Sequence, residues 1–98
     1  MIVYLAGPIT GVPDYRQKFA LAEFQLTEKG FTVLNPAVLP EGMKKADYMR
    51  ICLAMVDTAN IVALLDGWED SSGAKIEAEY SEYIAKPMLP LHDLLSWY

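Results

Sequence analysis

The sequence predicts an α/β domain with a small doubly wound parallel sheet of the Rossmann or flavodoxin type, with about four strands and three helices. Two observations carry this prediction. Short apolar runs alternate along the chain with segments whose apolar residues recur at helical spacing. The helical segments have roughly 10 to 15 residues, a length that lets a helix cross back between two parallel strands.

The first half of the chain supplies two strands and one helix. Ile2 to Leu5 is a nearly continuous apolar run that stops at Gly7-Pro8, which is typical of a strand buried on both faces. A helix is predicted from about Tyr15 to Lys29, because Phe19, Ala22 and Leu26 recur at helical spacing and Gly30 can end it. Phe31 to Leu34 is the second predicted strand, and Asn35-Pro36 stops it.

The second half repeats the alternation. Tyr48, Ile51, Met55 and Ala59 form a second helical pattern, and Ile61 to Leu65 is the most hydrophobic segment, predicted to be a central strand. A polar loop, 66–72, leads to a third helix from about Gly73 to Ala85. Residues 88–91 are predicted to form a fourth strand. The tail to Tyr98 is rich in apolar residues, so we expect it to pack on the domain.

Composition limits the functions that the chain can have. With 98 residues, the chain 1–98 makes one domain. A hydrophobic content of 53% exceeds what a small core needs, so we expect a homo-oligomer. The net charge of -5 argues against a nucleic-acid partner but allows a small-molecule nucleotide or nucleoside, since backbone N–H groups can hold one phosphate.

One cysteine, Cys52, and one histidine cannot form a disulfide or a zinc cluster, so no metal and no other cofactor is expected. No stretch approaches the roughly 20 apolar residues of a membrane span, and no leader is recognised at the N-terminus. We therefore expect a cytoplasmic protein without a membrane partner.

Ligands of a doubly wound sheet bind at the carboxyl ends of its strands, which directs attention to three loops, 6–14, 35–42 and 66–72. The first loop contains two glycines and a hydroxyl that can approach a ligand closely. An ordinary tight turn explains the same residues about as well. The candidate substrate-binding residues in this loop are Ala6, Gly7, Pro8, Ile9, Thr10 and Gly11, and Asn35 is the candidate in the second loop.

The third of these loops leads into the third helix. Ser71 or Ser72 can cap that helix, and the N–H groups of its first turn, near Gly73, make an anion site. Capping alone explains a serine here equally well. Trp68 can stack on a nucleobase, although a tryptophan at an interface is the commoner case.

The most informative residue is Glu77. On a helical wheel, Lys75, Glu79, Glu82 and Lys86 share an arc of about 60°, which we expect to face solvent. Glu77 falls on the opposite arc, which also holds Gly73, Ile76, Tyr80 and Ile84. A buried carboxylate is costly unless its charge is used, so Glu77 is the candidate catalytic residue. The alternative is a structural glutamate hydrogen-bonded to Tyr4 or to the backbone.

The ordered motifs resemble those of the nucleoside 2-deoxyribosyltransferase superfamily. They are the segment 3–11, Asn35-Pro36 after the second strand, and residues 64–77 with the pattern Gly-Trp-Glu-x-Ser-x-Gly-Ala-x-x-Glu. The resemblance covers most of the chain and is closest to a short branch, often encoded by phages or prophages, without an assigned activity. It implies that Glu77 is a nucleophile on the anomeric carbon and that Tyr4 positions it.

The resemblance also bears on the substrate. Relatives that transfer deoxyribose usually carry an aspartate where this chain has Ser71, whereas relatives that hydrolyse nucleoside 5′-monophosphates use a serine there to hold the phosphate. Two further positions depart from the pattern: Cys52 and Asn60 stand where relatives commonly have aspartates, and Asp57 is an alternative to Cys52. A neutral thiol is a poor substitute for a carboxylate.

Four functions remain open from the sequence. The first is cleavage of the N-glycosidic bond of (deoxy)nucleoside 5′-monophosphates by Glu77. The second is base exchange between deoxynucleosides. The third is a non-catalytic nucleotide-binding module, which the thiol at Cys52 and the amide at Asn60 favour. The fourth is an oligomerisation or interaction protein, for which the evidence is an apolar tail with Leu94, Leu95, Trp97 and Tyr98.

Overall fold

The computed structural model describes residues 1–98 and confirms a parallel α/β fold. Two single-turn 3₁₀ helices, Pro36–Val38 and Trp68–Asp70, lie in the connections. The main elements are β1 (Ile2–Ala6), α1 (Tyr15–Glu28), β2 (Thr32–Leu34), α2 (Lys45–Thr58), β3 (Ile61–Leu64), α3 (Ser72–Tyr83), β4 (Met88–Pro90) and α4 (Leu91–Trp97).

The tail is the main departure from the sequence prediction. Residues 91–97 form the helix α4, so the domain has four helices and not three. Leu94 is fully buried and anchors α4 in the core. Seven residues are too few for a clear helical period, which is why the pattern did not predict this helix. The other element boundaries differ from the prediction by at most two residues, except that α2 begins three residues before Tyr48, where its predicted pattern starts.

The four strands are all parallel, in the order β2-β1-β3-β4. The chain runs outward from β1 to β2, then returns across the sheet to β3 and continues to β4. The direction of winding therefore reverses between β1 and β3, where a doubly wound sheet opens a crevice at its carboxyl edge. Tyr4 of β1 lies beside Val62 of β3 at this position.

Helices cover both faces of the sheet. On one face, α1 and α4 pack over Val3 and Leu5 of β1 in a cluster of eleven buried residues. On the other face, α2 and α3 pack over Tyr4 and Ala6. Alternate residues of β1 thus enter two separate cores, as the two-residue period of a strand requires.

The buried side of α3 differs from the predicted arc. It consists of Ala74, Glu77, Ala78 and Ser81, whereas Ile76 and Ile84 are exposed. The helix is turned by about a quarter of a turn because small side chains let it approach the sheet and α2 closely. Glu77 is buried as predicted, but the isoleucines that were expected to share its arc are not.

Candidate active site

A cavity of about 690 Å³ opens at the carboxyl edge of the sheet, where β1 and β3 diverge. Three parts of the chain form its walls: the loop after β1, the connection from β2 into α2, and the first turns of α3. Of the residues predicted for the site, the cavity wall contains Tyr4, Gly7, Ile9, Thr10, Ser71, Ser72, Gly73 and Glu77.

Glu77 lies on the wall of this cavity with only 5% of its surface exposed. Burial raises its pKa to about 7, while the neighbouring Tyr4 hydroxyl and Cys52 thiol act in the opposite direction. No cation pairs with the carboxylate, since no salt bridge of the structure includes it. The pKa of the side chain is therefore raised toward neutral pH, which suits a carboxyl group that exchanges between neutral and charged forms.

Tyr4, a neighbour of Glu77, is the candidate to orient it. Its side chain is fully buried, and its hydroxyl is a buried polar atom without a hydrogen-bond partner of acceptable geometry. The pKa of Tyr4 is raised strongly, first by burial and then by the neighbouring Glu77 and Cys52. The hydroxyl therefore keeps its proton and can serve as a donor to the neighbouring carboxylate.

Cys52 of α2 lies behind the cavity wall in the same buried cluster as Tyr4. Burial raises the pKa of its thiol to about 11, so the thiol is neutral at physiological pH. Tyr48, one turn earlier on α2, lines the cavity, and burial also raises its pKa. The Tyr48 hydroxyl already donates a hydrogen bond to the carbonyl of Pro36 at 3.3 Å, so the protonated groups left to donate to Glu77 are Tyr4 and Cys52.

The amino terminus of α3 faces the cavity. Ser71 is the N-cap, and its hydroxyl accepts a hydrogen bond from the backbone N–H of Ala74 at 3.3 Å. The N–H groups of a first helical turn have no partner within the helix, and they carry the positive end of the helix dipole. Those of Ser72 and Gly73 belong to residues on the cavity wall, so the site can accept an anion.

Sequence reasoning missed the residues at the mouth of the cavity. Tyr15 donates a hydrogen bond from its hydroxyl to Glu41 at 3.1 Å, and Arg16 donates to Tyr15 and to the carbonyl of Leu39. These bonds tie the 39–46 segment to α1. Lys45 is the one cationic side chain on the wall. The loop was expected near the ligand, but isolated polar residues in a loop have no period that would single them out.

Several predicted binding residues lie elsewhere. Asn35 is buried, where it accepts a hydrogen bond from the N–H of Ala37 and donates to Glu23, so it stabilises the turn after β2. Trp68 lines a separate groove of about 280 Å³ with Ala78 and Met88. Ala6, Pro8 and Gly11 are also absent from the cavity wall.

Gly7 has a packing role as well as a place on the wall. A Cβ atom at this position would lie 2.8 Å from Cβ of Leu65 and 3.3 Å from Cζ of Phe19. The glycine therefore lets the turn after β1 pack directly on the core, which is a different reason from the predicted approach of a ligand.

The structure separates Cys52 from the other two residues at the departing positions, Asn60 and Asp57. Asn60 lies at the opposite, amino edge of the sheet, where its side-chain oxygen accepts a hydrogen bond from the N–H of Ile2 at 2.7 Å. Asp57, the alternative to Cys52, is exposed near the end of α2 and accepts a hydrogen bond from the Tyr80 hydroxyl. Of these three residues, Cys52 alone lies beside Tyr4 and Glu77.

Fold and site together define a small doubly wound α/β domain with a ligand-sized cavity at its switch point and a buried carboxylate on the wall. The chain belongs to the family described as a domain of unknown function, DUF4406, whose model matches residues 1–89. No curated protein and no solved structure matches the chain. The matched region contains the whole cavity wall, whereas α4 lies beyond it.

Metal ligands and membrane-spanning helices were also sought in the structure. No group of three or more His, Cys, Asp or Glu side chains is placed to hold a metal ion. No helix of the structure combines the length and the apolar character needed to span a membrane.

Proposed function

We propose that this protein cleaves the N-glycosidic bond of (deoxy)nucleoside 5′-monophosphates, with Glu77 as the nucleophile. The observation that carries the proposal is the position of Glu77, a carboxylate that is 95% buried, has no cationic partner and lines a cavity at the switch point of the sheet. Such burial is costly in the absence of a function for the charge. The resemblance to the nucleoside 2-deoxyribosyltransferase superfamily supplies the reaction.

In the proposed reaction, a carboxylate oxygen of Glu77 attacks the anomeric carbon of the sugar. The bond from that carbon to the base nitrogen breaks, and the base leaves with the electron pair and takes up a proton. Water then hydrolyses the glycosyl ester, which returns the carboxylate and releases the sugar phosphate. The Tyr4 hydroxyl, beside Glu77 and unpartnered, would hold the carboxylate in line with the anomeric carbon.

The amino terminus of α3 is the proposed phosphate site. The hydroxyl hydrogen of Ser71 and the N–H groups of Ser72 and Gly73 are the donors, and Lys45 supplies a positive charge at the mouth. Ser71 precedes Glu77 by six residues, a rise of about 9 Å along a helix. A pentose 5-phosphate can reach from one end of this distance to the other, so the phosphate contacts would place the anomeric carbon at Glu77.

The pKa of Glu77 predicts how the rate depends on pH. Only the ionised carboxylate attacks, so kcat/KM should rise with pH and level off above about 7. A rate that falls across this range would instead indicate that the protonated form of Glu77 acts, as a general acid.

A nucleotide-binding module without catalysis is the second candidate. The observation in its favour is the neutral thiol of Cys52 behind Glu77, with a pKa of about 11. A thiol donates a weaker hydrogen bond than a hydroxyl and does not supply a second negative charge to the sugar site. Binding can survive this change even if turnover does not.

Incubation of the purified protein with ribo- and deoxyribonucleoside 5′-monophosphates, followed by chromatography of free base, tests the proposal. The parent and Glu79→Gln, a matched change at an exposed position of the same helix, should release base, whereas Glu77→Gln should not. Release only when a second base is supplied would assign base exchange. Thermal stabilisation by a nucleotide without release of base would assign the binding module. If no nucleotide is cleaved and none stabilises the protein, both the enzyme and the binding module are refuted.

A further inference from the structure

The outer face of α1 is unusually apolar for an exposed helix. Its inner side packs on the sheet through Phe19, Ala22 and Leu26. On the opposite side, at intervals of four, three and four residues, stand Gln17, Leu21, Phe24 and Glu28, which span an arc of about 60° on the helix. All four are exposed, and the two central side chains are apolar, with 58% of Leu21 and 62% of Phe24 accessible. We call these four residues the α1 stripe.

Neighbouring elements carry further exposed apolar side chains. Val38, in the turn beside α1, and Trp97 and Tyr98, at the end of α4, are exposed large side chains on the same face of the sheet. Exposed apolar side chains that are grouped on one face mark an interaction site more often than scattered single residues do.

The order of residues along the α1 stripe suggests what covers it. The stripe reads polar, apolar, apolar, polar, with a hydrogen-bond donor, Gln17 beside Lys18, at its amino end and a carboxylate, Glu28, at its carboxyl end. A two-fold axis between Leu21 and Phe24 would place Leu21 of each copy against Phe24 of the other. The same axis would place Gln17, the donor, against Glu28, the acceptor. The stripe is therefore complementary to itself in the antiparallel direction.

We propose that a second copy of this chain packs its α1 antiparallel against this face, forming a two-fold symmetric dimer. Leu21 of each copy contacts Phe24 of the other, and Gln17 donates to Glu28 across the rim. A parallel pairing would bring the two Glu28 carboxylates together and is disfavoured. An anionic membrane surface is disfavoured too, because the acidic Glu28 lies in line with the apolar pair and the chain has a net charge of -5.

Sedimentation equilibrium of the full chain, at concentrations up to roughly 1 mM, measures the association. The parent is expected to be a dimer, and Leu21→Glu and Phe24→Lys should each weaken it by at least about tenfold, since each places a charge in an apolar contact. Tyr83→Glu is the matched control, because Tyr83 is 90% exposed at the end of α3 on the other face, and it should leave the dimer unchanged. Circular dichroism checks that each variant is folded.

Mixing the two charged variants tests the register. In the antiparallel dimer, Leu21→Glu and Phe24→Lys chains form a mixed pair with one Glu–Lys contact and one native Leu–Phe contact, so the mixture should dimerise more tightly than either variant alone. A monomeric parent, or dimers that survive both substitutions, would overturn the proposed interface. Monomeric variants that do not associate on mixing would overturn the antiparallel arrangement.

Discussion

The two faces of the sheet are built from alternate residues of the same strands, yet they differ in chemistry. The face under α1 and α4 has a core of eleven buried apolar residues, and the buried polar side chain next to α1, Asn35, has hydrogen-bond partners for both its amide nitrogen and its amide oxygen. The face under α2 and α3 has a smaller core that includes the Tyr4 hydroxyl and the Cys52 thiol, and Glu77 is buried beside it.

The two faces of the sheet therefore have different roles, one in stability and one at the candidate site. The first face contributes to stability by hydrophobic burial without polar costs. The second face buries a carboxyl with a raised pKa and a hydroxyl without a partner, both of which lower stability. Sites that tolerate such costs are commonly sites of function. The comparison predicts opposite effects of mutation on the two faces.

Phe19→Ala should cause the largest loss of stability. Phe19 is 1% exposed in the core under α1, so its truncation leaves a cavity and should lower the free energy of unfolding by about 3–5 kcal/mol. Urea denaturation measures the loss. Tyr83→Ala, at an exposed position, should change stability by no more than about 0.5 kcal/mol. Similar losses in the two variants would contradict the assignment of stability to the α1 face.

Glu77→Gln should raise stability above neutral pH. In the folded state the pKa of Glu77 is about 7, above its ordinary 4.5, so the folded protein holds a proton that the unfolded chain releases between these values. The stability that the folded protein gains by holding this proton is present in full below about pH 4.5 and is lost as pH rises through 7. The loss amounts to about 3 kcal/mol, which glutamine avoids.

Thermal unfolding of the parent and of Glu77→Gln between pH 4 and pH 8.5 measures this difference. The two curves should converge at low pH and separate as pH rises, while Glu79→Gln follows the parent throughout. If the difference between parent and Glu77→Gln does not change with pH, Glu77 does not titrate as proposed.

Ser71→Ala should cost about 1 kcal/mol, because it removes the hydroxyl that caps α3 at Ala74. Ser72→Ala is the matched control one residue later, where the side chain makes no capping bond, and it should be nearly neutral. Calorimetric unfolding compares the two. An equal loss in both variants would show that the cap is not specific to Ser71.

Cys52→Ala should have the smallest effect, a further rise in the pKa of Glu77. Hydrogen bonding from the thiol lowers that pKa, and alanine removes the donor, whereas Cys52→Ser keeps one. Carbon NMR of the Glu77 carboxyl through a pH titration gives the midpoint directly. A midpoint that is the same in the parent and in Cys52→Ala would mean that the thiol does not act on the carboxylate.

Much of the fold was predictable from local patterns. Apolar runs such as Ile2 to Leu5 and the helical period of Phe19, Ala22 and Leu26 correctly gave strands and helices, because strand and helix periods are properties of neighbouring residues. The helix α4 was missed because its stability comes from Leu94 in the core and not from its own seven residues.

The site was predictable only in part. Glu77 stood out because a carboxylate on a buried arc is rare, and Ser71 because a serine before a helix can cap it. Asn35 and Asn60 were misleading, since neither lines the cavity and the side-chain oxygen of each accepts a hydrogen bond from a backbone N–H instead. A sequence motif does not distinguish a side chain that binds a ligand from one that satisfies the backbone.

By itself, the sequence determined the parallel α/β class, the order of its main strands and helices, and the burial of Glu77, because these depend on spacing along the chain. The tertiary structure decided the rest: the strand order β2-β1-β3-β4, the rotation of α3, and the meeting of Tyr4, Cys52 and Glu77 behind one cavity. These three residues come from β1, α2 and α3, and only the packing of two helices on one face of the sheet brings them together.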